Sequence, residues 1–213
     1  MSLSNAIEDL YEAFADIEMP RGIDGCPCCM AEDEYKTLTA KPLSELSAEE
    51  LNEYASGALL TMGSEDDYPY FLPRIIELTI EEGPEWLASA EITAQKLQMA
   101  GFQQWGEQKQ TAINNTWLAV IRELAASEND PELLGFISSD IDTWLCAATL
   151  IPIPVTPLTD FLDEWPDVIR AIYNINFKTL FQGRMANPFL EEPSDGQAEI
   201  AAWLRDRVEK TMK

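Results

Sequence analysis

The sequence predicts an all-α protein: a single domain over residues 1–213, built as an irregular multi-helix bundle or a short helical-hairpin (HEAT-like) solenoid of about nine or ten helices. Three observations predict it. Nearly every segment repeats its apolar residues at three- and four-residue spacing, the period of one helix face. Strand signals are nearly absent, since the one alternating run, 151–155, is broken by prolines that cannot serve in a central strand. Between 45 and 213 the periodic segments are joined by short loops, and nothing there reads as a domain linker. No sustained repeat of about 34 or 40 residues favours the solenoid over the bundle.

Taken in order, Leu3, Ile7, Leu10, Tyr11 and Phe14 share one face of a first helix. Residues 20–46 are the part that best reads as a separate, cysteine-containing N-terminal lobe. Within them "MAEDEYKTL" predicts a short helix whose first-turn acids suit the positive end of the helix dipole. "SAEE" at Ser47–Glu50 is a capping box: the Ser47 hydroxyl accepts from the third amide and Glu50 reaches back to the cap amide. The helix it opens carries Leu51, Tyr54, Ala55, Ala58, Leu59 and Met62 on one stripe.

The next helix, with Phe71, Leu72, Ile75, Ile76 and Ile80 facing inward, starts close to Pro73 or kinks there, because proline lacks the amide and crowds the carbonyl four residues back. Gly83-Pro84 ends it. "ASAEITAQKLQMAG" forms a helix that stops at Gly101. Ile113, Trp117, Val120, Ile121 and Leu124 mark a strong stripe, "ENDPELLGFI" a turn and a short helix, and Ile141, Trp144, Leu145 and Ala148 a further helix. "IPIPVTP" reads as an extended connection, after which Thr156 caps a helix with Pro157 at its first position. Ile169, Ile172, Tyr173, Phe177 and Leu180, then Ile200, Trp203, Leu204 and Val208, complete the pattern.

Composition bounds the function. A chain of 213 residues, 46% hydrophobic, with six Trp, six Tyr and eight Phe has the apolar material for a folded core. No apolar run is long enough for a transmembrane helix, and "MSLSNAIEDLYEAF" lacks the basic start and apolar centre of a secretory signal. The expectation is a cytoplasmic protein with reduced thiols. The formal charge is −24, from 38 acidic against 14 basic residues. Such a chain repels nucleic acid and anionic membranes and attracts basic proteins. Histidine is absent, which removes the commonest general base, Ser-His and Cys-His nucleophiles, and imidazole ligands for zinc. An enzyme would have to use carboxylates, Lys, Tyr or Cys. No motif for one is present, and the chain is expected not to be an enzyme.

Three of four cysteines fall in "CPCC" at 26–29. Cys26 and Cys29 have the spacing of a loop that binds one tetrahedral metal, zinc or iron, with Cys28 as a third ligand and Cys146 or Asp24 to close the site. The same pair could act as a redox dithiol, but Asp24, Glu32, Asp33 and Glu34 oppose thiolate formation. The alternative is that the three are small residues in a tight loop with no bound cofactor, and this is the reading the unpaired motif favours.

A second candidate is Arg74 with Asp66 and Asp67, where a carboxylate near a helix start caps amides or pairs with the guanidinium, or where Arg74 meets a partner's acid or an anion. The six tryptophans fall mostly on apolar stripes and read as core. Glu81-Glu82 and Glu191-Glu192 read as loop acids with no site implied.

"GCPCCMAEDE", "PLSELSAEELNEYASGALLTMGSEDDYPYFLPRIIEL" and "DTWLCAATL" together resemble a family of uncharacterised bacterial proteins, most specifically at Phe71-Leu72-Pro73-Arg74. The resemblance covers about two-thirds of the chain and implies a bacterial cytoplasmic helical protein without bringing an activity. The proline-rich "LIPIPVTPLTDFLDEW" departs from it. The functional expectation is a non-enzymatic interaction protein that binds a basic protein partner, in its most concrete form an immunity- or antitoxin-like inhibitor of a basic effector. The alternative is a metal-binding or thiol-redox protein using Cys26, Cys28 and Cys29.

Overall fold

The computed structural model describes residues 1–213 except 24, 26–31, 84, 85, 128–132, 152, 191–193, 212 and 213, and within helices it does not describe the side chains of 32–34 and 211. The fold is all-α. The described residues form ten α-helices: α1 (Leu3–Ala13), α2 (Glu32–Thr39), α3 (Ala48–Gly57), α4 (Tyr68–Glu82), α5 (Ala90–Met99), α6 (Glu107–Ala126), α7 (Leu134–Ala148), α8 (Val155–Leu162), α9 (Pro166–Leu180) and α10 (Asp195–Thr211). Two isolated bridges, Gly25 with Met62 and Ala58 with Met62, are the only extended pairing among the described residues. None of these helices is long and apolar enough to cross a membrane.

Contacts divide the chain into two compact units, residues 4–113 and residues 114–213 with 1–3. The division falls inside α6, and the described residues of 20–46 fall within the first unit.

In the first unit α4 packs against α3 and α5. Phe71, Leu72, Ile75, Ile76 and Leu78 of α4 are buried, and Tyr54 of α3 meets Phe71 at 4.5 Å between ring centroids. The expected start near Pro73 is corrected: α4 begins at Tyr68, has Pro69 in its first turn, and carries buried Pro73 inside the helix. Only one ladder amide is lost at that proline, and the apolar face around it is buried on both sides in sequence. Glu81 and Glu82 are the last residues of α4 rather than loop acids, and Gly83, at φ +61°, ends the helix.

The capping box forms. Glu50 N–H donates to Ser47 Oγ at 3.3 Å and Ser47 N–H donates to Glu50 Oε2 at 2.8 Å. Lys41 Nζ lies 2.6 Å from the same Glu50 oxygen. The Lys41 bond first, then the Ser47 amide, hold the Glu50 carboxyl down to about 2. The helix is shorter than its stripe predicts, ending at Gly57. Ala58 and Met62 are still buried, but from a turn in which Leu59 takes φ +63°.

In the second unit α9 packs against α7 and α10, with α8 beside α9 and α10. Trp117 of α6 is fully buried edge-on to Trp144 of α7 at 4.9 Å. Three expectations are corrected here. The short helix predicted over "ENDPELLGFI" and the further helix predicted through Ala148 are, among the described residues, one helix, α7, which starts at Leu134. Helix α8 begins at Val155 after Pro154, so Thr156 sits inside it, and its hydroxyl donates to Glu199 at 3.3 Å instead of capping. On α9, Ile169, Ile172 and Leu180 are core with Val168 and Asn176, while Tyr173 and Phe177 turn away from it. Of the tryptophans, Trp86, Trp117 and Trp144 are buried and Trp105, Trp165 and Trp203 half-buried.

Candidate interaction surface

Arg74 projects from the second turn of α4 with its side chain 13% exposed. Its Nε donates to Leu46 O at 2.8 Å, and its Nη1 donates to Glu77 at 2.6 Å and to Glu81 at 3.4 Å. Tyr11 Oη of α1 donates to the same Glu77 oxygen at 2.6 Å. Burial, then the Glu77 bond and its charge, push the Tyr11 hydroxyl well above the usual tyrosine range, so it remains a donor. Burial works against the Arg74 charge, but the Glu77 bond and the Glu77 and Glu81 charges more than offset it and raise its pKa. The guanidinium is thus committed to joining α1, the turn before α3 and α4.

Asp67 is occupied elsewhere. Its Oδ2 accepts from Ser64 N at 3.0 Å and from Ser64 Oγ at 2.8 Å, closing the turn into α4. Asp66 is exposed one residue earlier. Arg74 and the two aspartates therefore do not form one site. Cys26, Cys28 and Cys29, with Asp24, lie outside the described residues, and Cys146 is buried on α7. Among the described residues no group of three or more cysteines and carboxylates is placed to hold a metal ion.

The turn after α3 carries a feature that periodicity hides. Gly57 O accepts from Leu60 N at 3.1 Å and Thr61 N at 3.0 Å, and Leu59 N donates to Met62 O at 2.8 Å. A leucine in the left-handed region costs about 1–2 kcal/mol. Beneath it Lys96 of α5, 3% exposed, donates from Nζ to Ala58 O. Burial pulls the Lys96 ammonium below the ordinary lysine value. The consequence is that Leu60 stands at the tip, 68% exposed, with exposed Glu65 and Asp66 following it.

Charge is distributed unevenly. Residues 4–113 hold 22 acidic and six basic side chains, whereas residues 166–213 hold seven of each, so the whole net charge of −24 resides in residues 1–165. Four of the six cations in the first unit are engaged inside it: Arg74 with Glu77, Lys41 with Glu50, Lys109 with Asp16 at 2.7 Å, and Lys96 on its buried carbonyl. Most of the carboxylates around them, among them Glu8, Asp9, Glu12, Glu18, Glu45, Glu49, Glu65, Asp66 and Glu82, are exposed.

The neutral C-terminal stretch carries an aromatic ladder along α9 and its C-cap residue. Tyr173 and Phe177 meet at 5.8 Å and Phe177 and Phe181 at 6.0 Å, each edge to face. Phe177 and Phe181 are 52% and 63% exposed, and the Arg205 guanidinium of α10 lies 5.8 Å from the Phe181 ring.

No family model, no curated protein and no solved structure matches the chain. The functional reading is accordingly carried by its own side chains.

Proposed function

We propose that this chain is a non-enzymatic interaction module that binds a basic protein partner through the acidic surface of residues 4–113. The observation that supports this reading most is the engagement of four of that unit's six cations within the unit, while its carboxylates outnumber them and line the surface. A surface of one sign steers an oppositely charged partner and raises its association rate. Leu60, exposed at the tip of a turn that exposed Glu65 and Asp66 follow in the chain, supplies an apolar contact of the kind that anchors such an encounter once it forms.

The test is capture from a lysate of the source cells on the immobilised full chain, comparing wild type with Leu60→Ala and with Glu65→Gln/Asp66→Asn. Asp67 is left intact because it closes the turn. The expected result is retention of a protein of high isoelectric point, reduced roughly tenfold or more by Leu60→Ala and eluted at lower salt from the double variant. Retention of basic proteins equally by all three chains, or of none by wild type, contradicts the reading.

A further inference from the structure

We infer that the aromatic face of α9 is the contact between two copies of this chain, with the two α9 helices antiparallel about a two-fold axis. Tyr173, Phe177 and the C-cap residue Phe181 follow one another at four-residue spacing in ring contact beside the core face of α9, with Tyr173 half-buried and Phe177 and Phe181 exposed. The core side of α9 is already filled by Val168, Ile169, Ile172, Asn176 and Leu180, so exposed Phe177 and Phe181 are not needed to fill the interior. Single exposed apolar residues need no explanation, but a contiguous aromatic strip marks a contact.

Charge selects the occupant. Two chains that each carry −24 repel, and the repulsion is least where residues 166–213 carry no net charge. The strip lies within that stretch. The ends of α9 are also of opposite sign. Glu164 and Asp167 are exposed at its start, the latter held by Arg170 at 3.4 Å in an exposed pair. Lys178 is exposed near its end, and Arg205 stands over Phe181 there; neither makes an ion pair among the described residues. Antiparallel pairing brings the acidic start of each helix against the basic end of the other, twice by symmetry. A parallel arrangement would set like ends together.

This contact has a salt signature opposite to that of a basic partner. Screening weakens the few attractions between the ends of α9, but it relieves the larger repulsion between two chains of −24, and the aromatic contact is insensitive to salt, so association strengthens on balance as ionic strength rises. The inference does not rest on the acidic-surface reading, and each can fail without the other.

The experiment is sedimentation equilibrium of the purified full chain at about 20 mM and about 300 mM NaCl, where the Debye length falls from roughly 20 Å to about 6 Å. The same runs are made on Phe177→Ser/Phe181→Ser and on Lys178→Glu. All three substituted side chains are exposed, so circular dichroism is expected to be unchanged. The expected result is a dimer favoured at the higher salt, with its dissociation constant raised at least about tenfold by the double serine variant and several-fold by Lys178→Glu. A wild-type chain that stays monomeric at both salts overturns the inference. So does association that the double serine variant leaves unchanged, or that weakens as salt rises, which would place the contact on the charged surfaces instead.

Discussion

Asn176→Asp is expected to destabilise the protein by about 3–5 kcal/mol at neutral pH and to regain much of that loss on acidification. Asn176 is fully buried on α9. Its Nδ2 donates to Asp142 Oδ1 of α7 at 2.6 Å and to Ile172 O at 3.0 Å, and its Oδ1 accepts from Ala186 N at 2.5 Å. The amide thereby joins two packed helices to the strand of chain that follows α9. Aspartate has the same shape, so no cavity is made and the Ala186 bond is kept. What changes is that two buried carboxyls now face each other at hydrogen-bonding distance, an arrangement that favours their sharing a proton. The pair's folded pKa is then raised above the ordinary aspartate value of about 3.9. A raised folded pKa stabilises below the unfolded value and loses that contribution as pH rises through the folded one. Urea unfolding of both chains between about pH 4 and pH 8 measures the difference, which should widen steadily with pH. A gap that stays constant with pH would mean that the two groups do not face each other as described.

Trp117→Ala should cost about 3–5 kcal/mol, the upper range for a core truncation. Trp117 is fully buried in α6, and its ring is set edge-on against Trp144, so alanine removes both the buried area and the aromatic contact. Trp117→Phe should cost only about 1–2 kcal/mol, because most of the volume remains and the indole Nε1 donates to no partner among the described residues. The midpoint of urea unfolding separates the two. Equal losses for Ala and Phe would show that the nitrogen, not the volume, holds the site.

What the sequence made legible follows the strength of each local signal. The Ser47–Glu50 cap was readable because two side chains and two amides at fixed spacing specify each other. The stop of α3 was not, because apolar residues at 58, 59 and 62 keep the helical period after the chain has left the helix. Ala58 and Met62 reach the core from a turn, and that turn depends on a bond from Lys96, 38 residues on. Pro73 misled in the other direction: the local penalty is real, but burial of Phe71, Leu72, Ile75 and Ile76 on the same helix outweighs one lost amide bond.

The candidate surface was legible only in part. The excess of acid is a property of composition, but which cations are engaged internally is a property of the fold, and Arg74 shows the difference. Its partners are Glu77 and Glu81, three and seven residues on and on its own helix, not the aspartates before it. Tyr173 and Phe177 fit the apolar pattern of α9 in the sequence, and Phe181 gives no signal of its own there. The signal against a core position was the width of the apolar arc: Val168, Ile169, Ile172 and Leu180 already complete one face, and the aromatics extend it beyond what one packed face needs.

The measurement that tests the central claim most directly is the dissociation constant of the complex between this chain and its captured basic partner as a function of salt. Over about 50 to 500 mM NaCl the acidic-surface reading predicts weakening by about tenfold or more, carried mainly by slower association, with Glu65→Gln/Asp66→Asn showing a shallower slope. An affinity that is flat or rises across that range, with the double variant indistinguishable from wild type, would contradict it.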